Sequence, residues 1–302
     1  MDLSRMGAVL TPHWGAASDI GPVRSHNEDR WLAAPPLYAV ADGMGGHADG
    51  ELAARTALDV LCARLAAGPQ EGQGQGFLDL DAAIAAAALA VSDLAGRDPA
   101  GASSPWDAPT PGAPGTTLTG ALTTSLDGTP HWLVFNIGDS RTYLCAGGAL
   151  RRLTRDHSAR EEARHHPLAG DLAADAPAPN IVTRALGAGT AGLPEPDYFT
   201  CLVARGDRLL ICSDGVHGAV ADSDLAVVLT TREDPQQAAN AVVDLALAGG
   251  TRDNATAVVV DVAELSPAWP EETPIGADVR EVRRVRPAPT VTARRAPARG
   301  ED

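Results

Sequence analysis

The chain has 302 residues and a formal net charge of −15; 44% of it is hydrophobic but only 4% aromatic, so Ala, Val and Leu must pack most of any core. Seven arginines face one glutamate between Arg280 and Arg299, so the residues before them are more acidic still. An acidic body argues against nucleic acid as partner, because phosphate contact needs a basic face. No apolar run approaches the roughly 18 residues of a membrane span. Cys62, Cys145, Cys201 and Cys212 form no CxxC pair and read as buried small hydrophobes in a reducing compartment. With no signal-peptide pattern at the start, a cytoplasmic protein is expected, with no membrane partner.

In chain order, short strands are predicted over 14–19, 30–33 and 37–41, punctuated by Gly-Pro and Pro-Pro. Leu52, Leu58, Leu61, Cys62 and Leu65 recur at helical spacing and predict a helix over 48–67, stopped by Gly68-Pro69. After a Gly/Gln loop, an Ala-rich helix is expected over 78–94. Residues 97–114 hold five prolines and read as a loop. Strands follow over 116–124, 131–137, 141–145 and 150–153, with hairpin signals at Asp127-Gly128 and Gly147-Gly148. Residues 155–179 form a polar insertion with one short helix near 161–165. Strands over 198–204 and 208–212, helices over 224–230 and 235–248, and a strand over 255–262 complete the pattern. Asp234, Pro235 and Gln237 form a helix-start signature at the last helix. Hairpins interrupted by helix pairs, without βαβ alternation, predict an α+β sandwich of antiparallel sheets with helices outside.

Three apolar runs end on an aspartate before Gly or Ser: Asp42, Asp139 and Asp214. A fourth run begins just after Asp253-Asn254. Singly, each is an ordinary turn residue. At the same edge of a sheet core they would converge, and clustered carboxylates stay ionised only when a cation neutralises them. Asn27-Glu28-Asp29 adds acidic groups, with Arg24 just upstream. An all-carboxylate set without His or Cys suits Mg²⁺ or Mn²⁺ rather than Zn²⁺. Two such ions about 3.5–4 Å apart would activate a water toward an electrophile. Arg24 suits bidentate phosphate binding, and equally a surface salt bridge with Glu28 or Asp29.

Two other motifs fail. Gly43-Met-Gly45-Gly-His-Ala48 fits a dinucleotide fingerprint, but Asp42 would face the pyrophosphate and no second parallel strand follows. An EF-hand fails because Met44 occupies a ligand position.

An ordered set of motifs resembles the metal-dependent protein phosphatases of type 2C, in their bacterial form. It comprises Ser18-Asp-Ile-Gly-Pro-Val-Arg24-Ser-His-Asn-Glu28-Asp29, Asp42-Gly-Met-Gly-Gly46, Gly115-Thr-Thr117, Gly138-Asp-Ser-Arg141, Asn180-Ile-Val-Thr-Arg-Ala-Leu-Gly187, Ser213-Asp-Gly215 and Asp253-Asn-Ala-Thr256. The resemblance implies a four-layer α-β-β-α sandwich of two antiparallel sheets with flanking helix pairs. The resemblance places a catalytic domain over 13–264, while composition predicts a loose leader over 1–12 and a disordered Pro/Arg-rich tail over 265–302.

By the same resemblance, Asp42, Asp214 and Asp253 would hold one metal ion, and Glu28, Asp42 and the Gly43 carbonyl a second. Asp139 would hold a third, weaker one. Asp29 would orient metal-bound waters, Asn254 would buttress Asp253, and Arg24 would bind the substrate phosphoryl group. Eukaryotic members place His after Asp-Gly as a proposed general acid, whereas Met44 stands here. His47 is the candidate replacement, and a metal-bound water is the preferred acid. The implied activity is hydrolysis of phosphoserine and phosphothreonine in proteins, targets of a serine/threonine kinase, by a monomeric signalling enzyme. The alternatives are a catalytically silent phosphatase-like domain, which usually lacks a metal aspartate, and a phosphatase of small phosphomonoesters.

Overall fold

A computed structural model describes residues 10–45, 48–66, 76–95, 112–126, 129–165, 181–189, 192–265 and 279–282. Two antiparallel sheets form its centre. One has five strands in the order β1 (Leu10–Asp19), β13 (Ala255–Leu265), β12 (Arg208–Cys212), β8 (Arg141–Ala146) and β9 (Ala149–Arg152). The other has six, in the order β14 (Arg280–Val282), β11 (Asp197–Leu202), β7 (Thr129–Ile137), β6 (Leu118–Leu126), β3 (Leu37–Ala41) and β2 (Arg30–Ala34). A small third sheet joins β10 (Leu186–Gly187), β5 (Gly115–Thr116) and β4 (Gly43–Met44).

Strand alternation sorts the core into three apolar layers. On β3, Leu37, Ala39 and Ala41 face helices α1 (Ala48–Ala66) and α2 (Phe77–Leu94), while Tyr38 and Val40 face the opposite sheet. On β13, Ala255, Ala257 and Val259 face α4 (Asp214–His217), α5 (Asp222–Thr231) and α6 (Pro235–Ala248), while Val258, Val260 and Val262 face inward. Helix layer, sheet, sheet, helix layer is the sandwich expected from the sequence. The central layer has few aromatics; Tyr38 and Trp132, both fully buried, meet edge-on at 6.3 Å. Small side chains compensate on the outside: Ala83, Ala87 and Ala88 of α2 are buried, letting it lie close on α1.

Some boundaries differ from the sequence reading. The first strand starts at Leu10, because β13 is long enough to pair with it as far as Leu265, so residues 10–12 of the expected leader belong to the sheet. Within the expected disordered tail, Arg280–Val282 adds an edge strand to Tyr198–Thr200 of β11. That correction reflects an open sheet edge, which composition does not report. The insertion begins with α3 (Ala159–His165), and Ser158 bridges to Val182. At α6 the Asp234 carboxylate accepts the N–H of Gln237 at 2.8 Å, as the helix-start signature requires. Residues 1–9, 96–111, 166–180, 266–278 and 283–302, on which other expectations fall, lie outside the described residues, as does His47.

Candidate active site

Asp42 links β3 to β4, Asp139 follows β7, Asp214 opens α4 directly after β12, and Asp253 precedes β13. All four therefore stand at one end of the two sheets. Asp214, expected as a metal ligand at the end of a strand, is in the first turn of a short helix.

The backbone of Asp42 is tied on both sides. Its carbonyl accepts the Thr117 N–H at 2.9 Å and the Thr116 hydroxyl at 3.0 Å. Its own N–H donates to Thr117 Oγ1 at 3.0 Å, and that oxygen lies 2.8 Å from Ser140 Oγ. The Gly-Thr-Thr and Gly-Asp-Ser motifs thus serve as the mount for Asp42. A Cβ at Gly43 would fall 2.2 Å from the Gly50 carbonyl oxygen and 2.8 Å from that of Glu28. Only glycine permits that approach, which brings the start of α1 and the Glu28 backbone to the Asp42 loop.

Asn254 does more than the sequence suggested. Its backbone N–H donates to Asp253 Oδ1 at 2.9 Å. Its side chain reaches the Arg24–Glu28 loop instead: Oδ1 accepts the Glu28 N–H at 2.8 Å, and Nδ2 donates to the carbonyls of Ile20 (2.8 Å) and His26 (3.0 Å). A Cβ on Gly215 would lie 1.9 Å from the Asn254 carbonyl oxygen, so the start of α4 is pressed against the 253–254 loop. Asp29 is buried and accepts the Ser213 hydroxyl at 2.7 Å. Ser213 Oγ in turn accepts the Thr256 N–H at 3.0 Å.

The electrostatics follow from crowding. Burial, and then repulsion from Asp29, Asp214, Asp139 and Asp253, pushes the Asp42 carboxyl well above the ordinary range. Burial first and Asp214 second raise both Asp29 and Asp139 to about 7, with Asp253 a further cause at Asp29. Asp214 is raised by burial and Asp253, against a hydrogen bond with Asp42. Arg24, half exposed, meets Asp253 Oδ2 at 2.5 Å. The buried Oδ1 atoms of Asp29 and Asp214 have no hydrogen-bond partner among the described residues.

Orphaned carboxylate oxygens amid mutually raised proton affinities form a donor set suited to a hard divalent cation. Among the described residues, no three His, Cys, Asp or Glu side chains already stand at coordination geometry around one point. The carboxylates are neighbours that a cation would draw together.

Arg141 and Arg184, both within the recognised motifs, are structural. Arg141 holds Asp156 bidentately at 2.9 and 2.7 Å, and Arg184 pairs with Asp197 at 3.1 Å. Met44, which follows Asp42-Gly43, is half-buried on β4 opposite Gly115. Sequence reasoning missed His157 and His217, which contact the Asp139 loop. Each is an isolated polar residue with no periodic or spacing signal. A cleft of about 730 Å³, lined by Arg208, Asp261, Asp207 and Glu233 among others, opens at the far ends of β12 and β13 and contains none of the site carboxylates. The carboxylate edge is the better candidate site, since mutually perturbed ionisable groups mark chemistry more directly than cleft size. Among the described residues no helix is long and apolar enough to cross a membrane.

Residues 24–246 match the protein phosphatase 2C family profile. The chain is 35% identical over 273 residues to the serine/threonine protein phosphatase PstP of Mycobacterium tuberculosis, covering 87% of this chain and 47% of that protein. It thus spans about half the length of that relative. It is 30% identical over 258 residues to the serine/threonine phosphatase stp of Listeria innocua, covering 81% of this chain and 93% of that one. The crystal structure of the PstP catalytic domain in complex with two manganese ions superimposes with a TM-score of 0.64 at 31% identity, covering 84% of this chain and all of that one.

Proposed function

The chain belongs to the protein phosphatase 2C family, and on that premise we propose that it hydrolyses phosphoserine and phosphothreonine in proteins, using two divalent cations, Mg²⁺ or Mn²⁺, and a third held more weakly. The observation that carries this reading is the convergence of Asp42, Asp139, Asp214, Asp253 and Asp29 on one sheet edge, where burial and repulsion between neighbours raise the proton affinities of Asp29, Asp42, Asp139 and Asp214. Asp42, Asp214 and Asp253 would hold one ion, Glu28, Asp42 and the Gly43 carbonyl a second, and Asp139 the third. Bound there, the cations would lower the pKa of a water and neutralise phosphoryl oxygens.

The chain's own groups do the rest. Arg24 is half exposed and rests against Asp253, so its guanidinium can exchange that contact for two phosphoryl oxygens and orient the ester for in-line displacement. Asp29, held by Ser213, would orient water in the site through its unpaired Oδ1. Asn254 fixes the loop from which Arg24 and Glu28 project. Residues 10–265, with the edge strand 280–282, form the catalytic unit in this reading, and its substrates are cytoplasmic targets of a serine/threonine kinase in a signalling pathway. The enzyme acts as a monomer. Four unpaired cysteines suit a reducing compartment.

The test is release of phosphate from phosphothreonine and phosphotyrosine peptides in Mn²⁺, with a chelator control. Activity confined to phosphothreonine, lost with chelator and in Asp42→Asn, is expected. Wild-type turnover by Asp42→Asn would refute the assignment.

A further inference from the structure

Asp139 is the site carboxylate whose flanking peptide groups are gripped by two imidazoles. Before it, Gly138 adopts a φ of +105°, and a Cβ there would meet the Thr117 side chain at 2.6 Å. The Gly138 N–H donates to His157 Nδ1 at 3.2 Å. The Gly138 carbonyl accepts the His157 N–H at 2.8 Å and Asn136 Nδ2 at 3.0 Å. After it, the Asp139 carbonyl bonds His217 Nε2 at 2.9 Å.

The partners assign the tautomers, since a peptide N–H only donates and a carbonyl only accepts. Nδ1 of His157 is therefore an acceptor, while its Nε2 lies between Asp197 Oδ2 at 3.2 Å and Arg184 Nη1 at 3.1 Å. Asp197 is itself anchored by Arg184 at 3.1 Å. On His217 the proton sits on Nε2. His157 is 2% exposed, so its ring is locked rather than sampling solvent. The two rings come from different places. His157 follows β9 at the base of the 155–179 insertion, and His217 ends the single turn of α4 that Asp214 begins.

We propose that His157 and His217 are positioning residues for Asp139, clamping the peptide groups on either side of it so that its carboxylate is held against Asp214. The inference rests on the phosphatase reading, in which Asp139 holds the weakest of three ions. The short α4 sets the distance between that ligand and Asp214. The Asp197–His157 pair ties the same loop to the root of the insertion. Neither imidazole touches the reacting atoms; His157 acts through the Gly138 backbone and His217 through the Asp139 carbonyl.

The experiment counts and titrates Mn²⁺ on the full chain by electron paramagnetic resonance, with calorimetry in parallel. His217→Phe should weaken only the weakest class of site, by about tenfold, and leave the two tighter ions unchanged. His217→Gln keeps a side-chain N–H donor for the Asp139 carbonyl and should restore that class. Adding His217→Phe to Asp139→Asn should cost nothing beyond Asp139→Asn itself. His157→Phe and His157→Gln form a second pair with the same expected pattern, read on protein whose circular dichroism is native. Unchanged weak-site affinity in folded His217→Phe and His157→Phe overturns the inference, as does equal weakening of all three ions. If the wild-type chain binds no Mn²⁺, the phosphatase reading falls and the inference falls with it.

Discussion

Without divalent cations, the carboxylate edge should make the protein less stable as pH rises. Take Asp139, 8% exposed and lifted from 3.8 to about 7 by burial and by Asp214. A folded-state pKa above the unfolded value means that the native chain binds the extra proton between those limits. Stability from this group is full below 3.8 and is lost as pH climbs to about 7. At about 1.4 kcal/mol per decade of proton affinity, the loss is at most ~4 kcal/mol. Asp29, Asp42 and Asp214 repel the same neighbours, so their effects overlap with this one. Asp207, raised to about 6 by burial, adds to the loss, and His217, lowered from 6.5 to about 4 chiefly by burial, offsets part of it below pH 6.5. Asp156 and Asp197 also act oppositely but elsewhere in pH. Despite burial, Arg141 holds Asp156, and His157 with Arg184 holds Asp197, below the ordinary value, so their contributions fade only below 3.8. The assay is thermal unfolding of chelator-treated protein from about pH 5 to about pH 8.5. The midpoint should fall by roughly 10 °C at most. Mn²⁺ should restore stability most at the alkaline end, because binding needs deprotonated ligands. Asp139→Asn should flatten the chelated profile. A chelated midpoint that is flat or rises over this range would refute the reasoning.

Asn254→Ala removes one acceptor and two donated bonds that pin the Ile20–Glu28 loop, and should cost ~2–3 kcal/mol in urea unfolding. It should also raise KM for a phosphothreonine peptide, since Arg24 loses its fixed base; an unchanged KM would show that the loop holds itself. Tyr38→Phe is expected to be neutral or slightly stabilising, because the buried Tyr38 hydroxyl has no hydrogen-bond partner among the described residues. A loss of more than about 1 kcal/mol in the same unfolding assay would point to a bond from that hydroxyl.

Much of the fold could be read locally. The continuous apolar runs at 37–41 and 209–212, buried at every position, and the helical recurrence of Leu58, Leu61 and Leu65 report burial one residue at a time, which is the scale on which a sequence carries information. The candidate carboxylates were legible for a similar reason, since strand-end aspartates in an ordered series leave a mark on the chain itself. Tertiary structure decided what each one leans on. Gly43 and Gly215 became closely packed backbone, Asn254 became the anchor of a loop more than two hundred residues upstream, and Arg280–Val282 found an open edge at β11. His157 and His217 met on the Gly138-Asp139 turn, one at the Gly138 peptide groups and the other at the Asp139 carbonyl. Hydrogen bonds between distant segments depend on where the chain brings them, and no periodicity or motif in the sequence encodes that meeting.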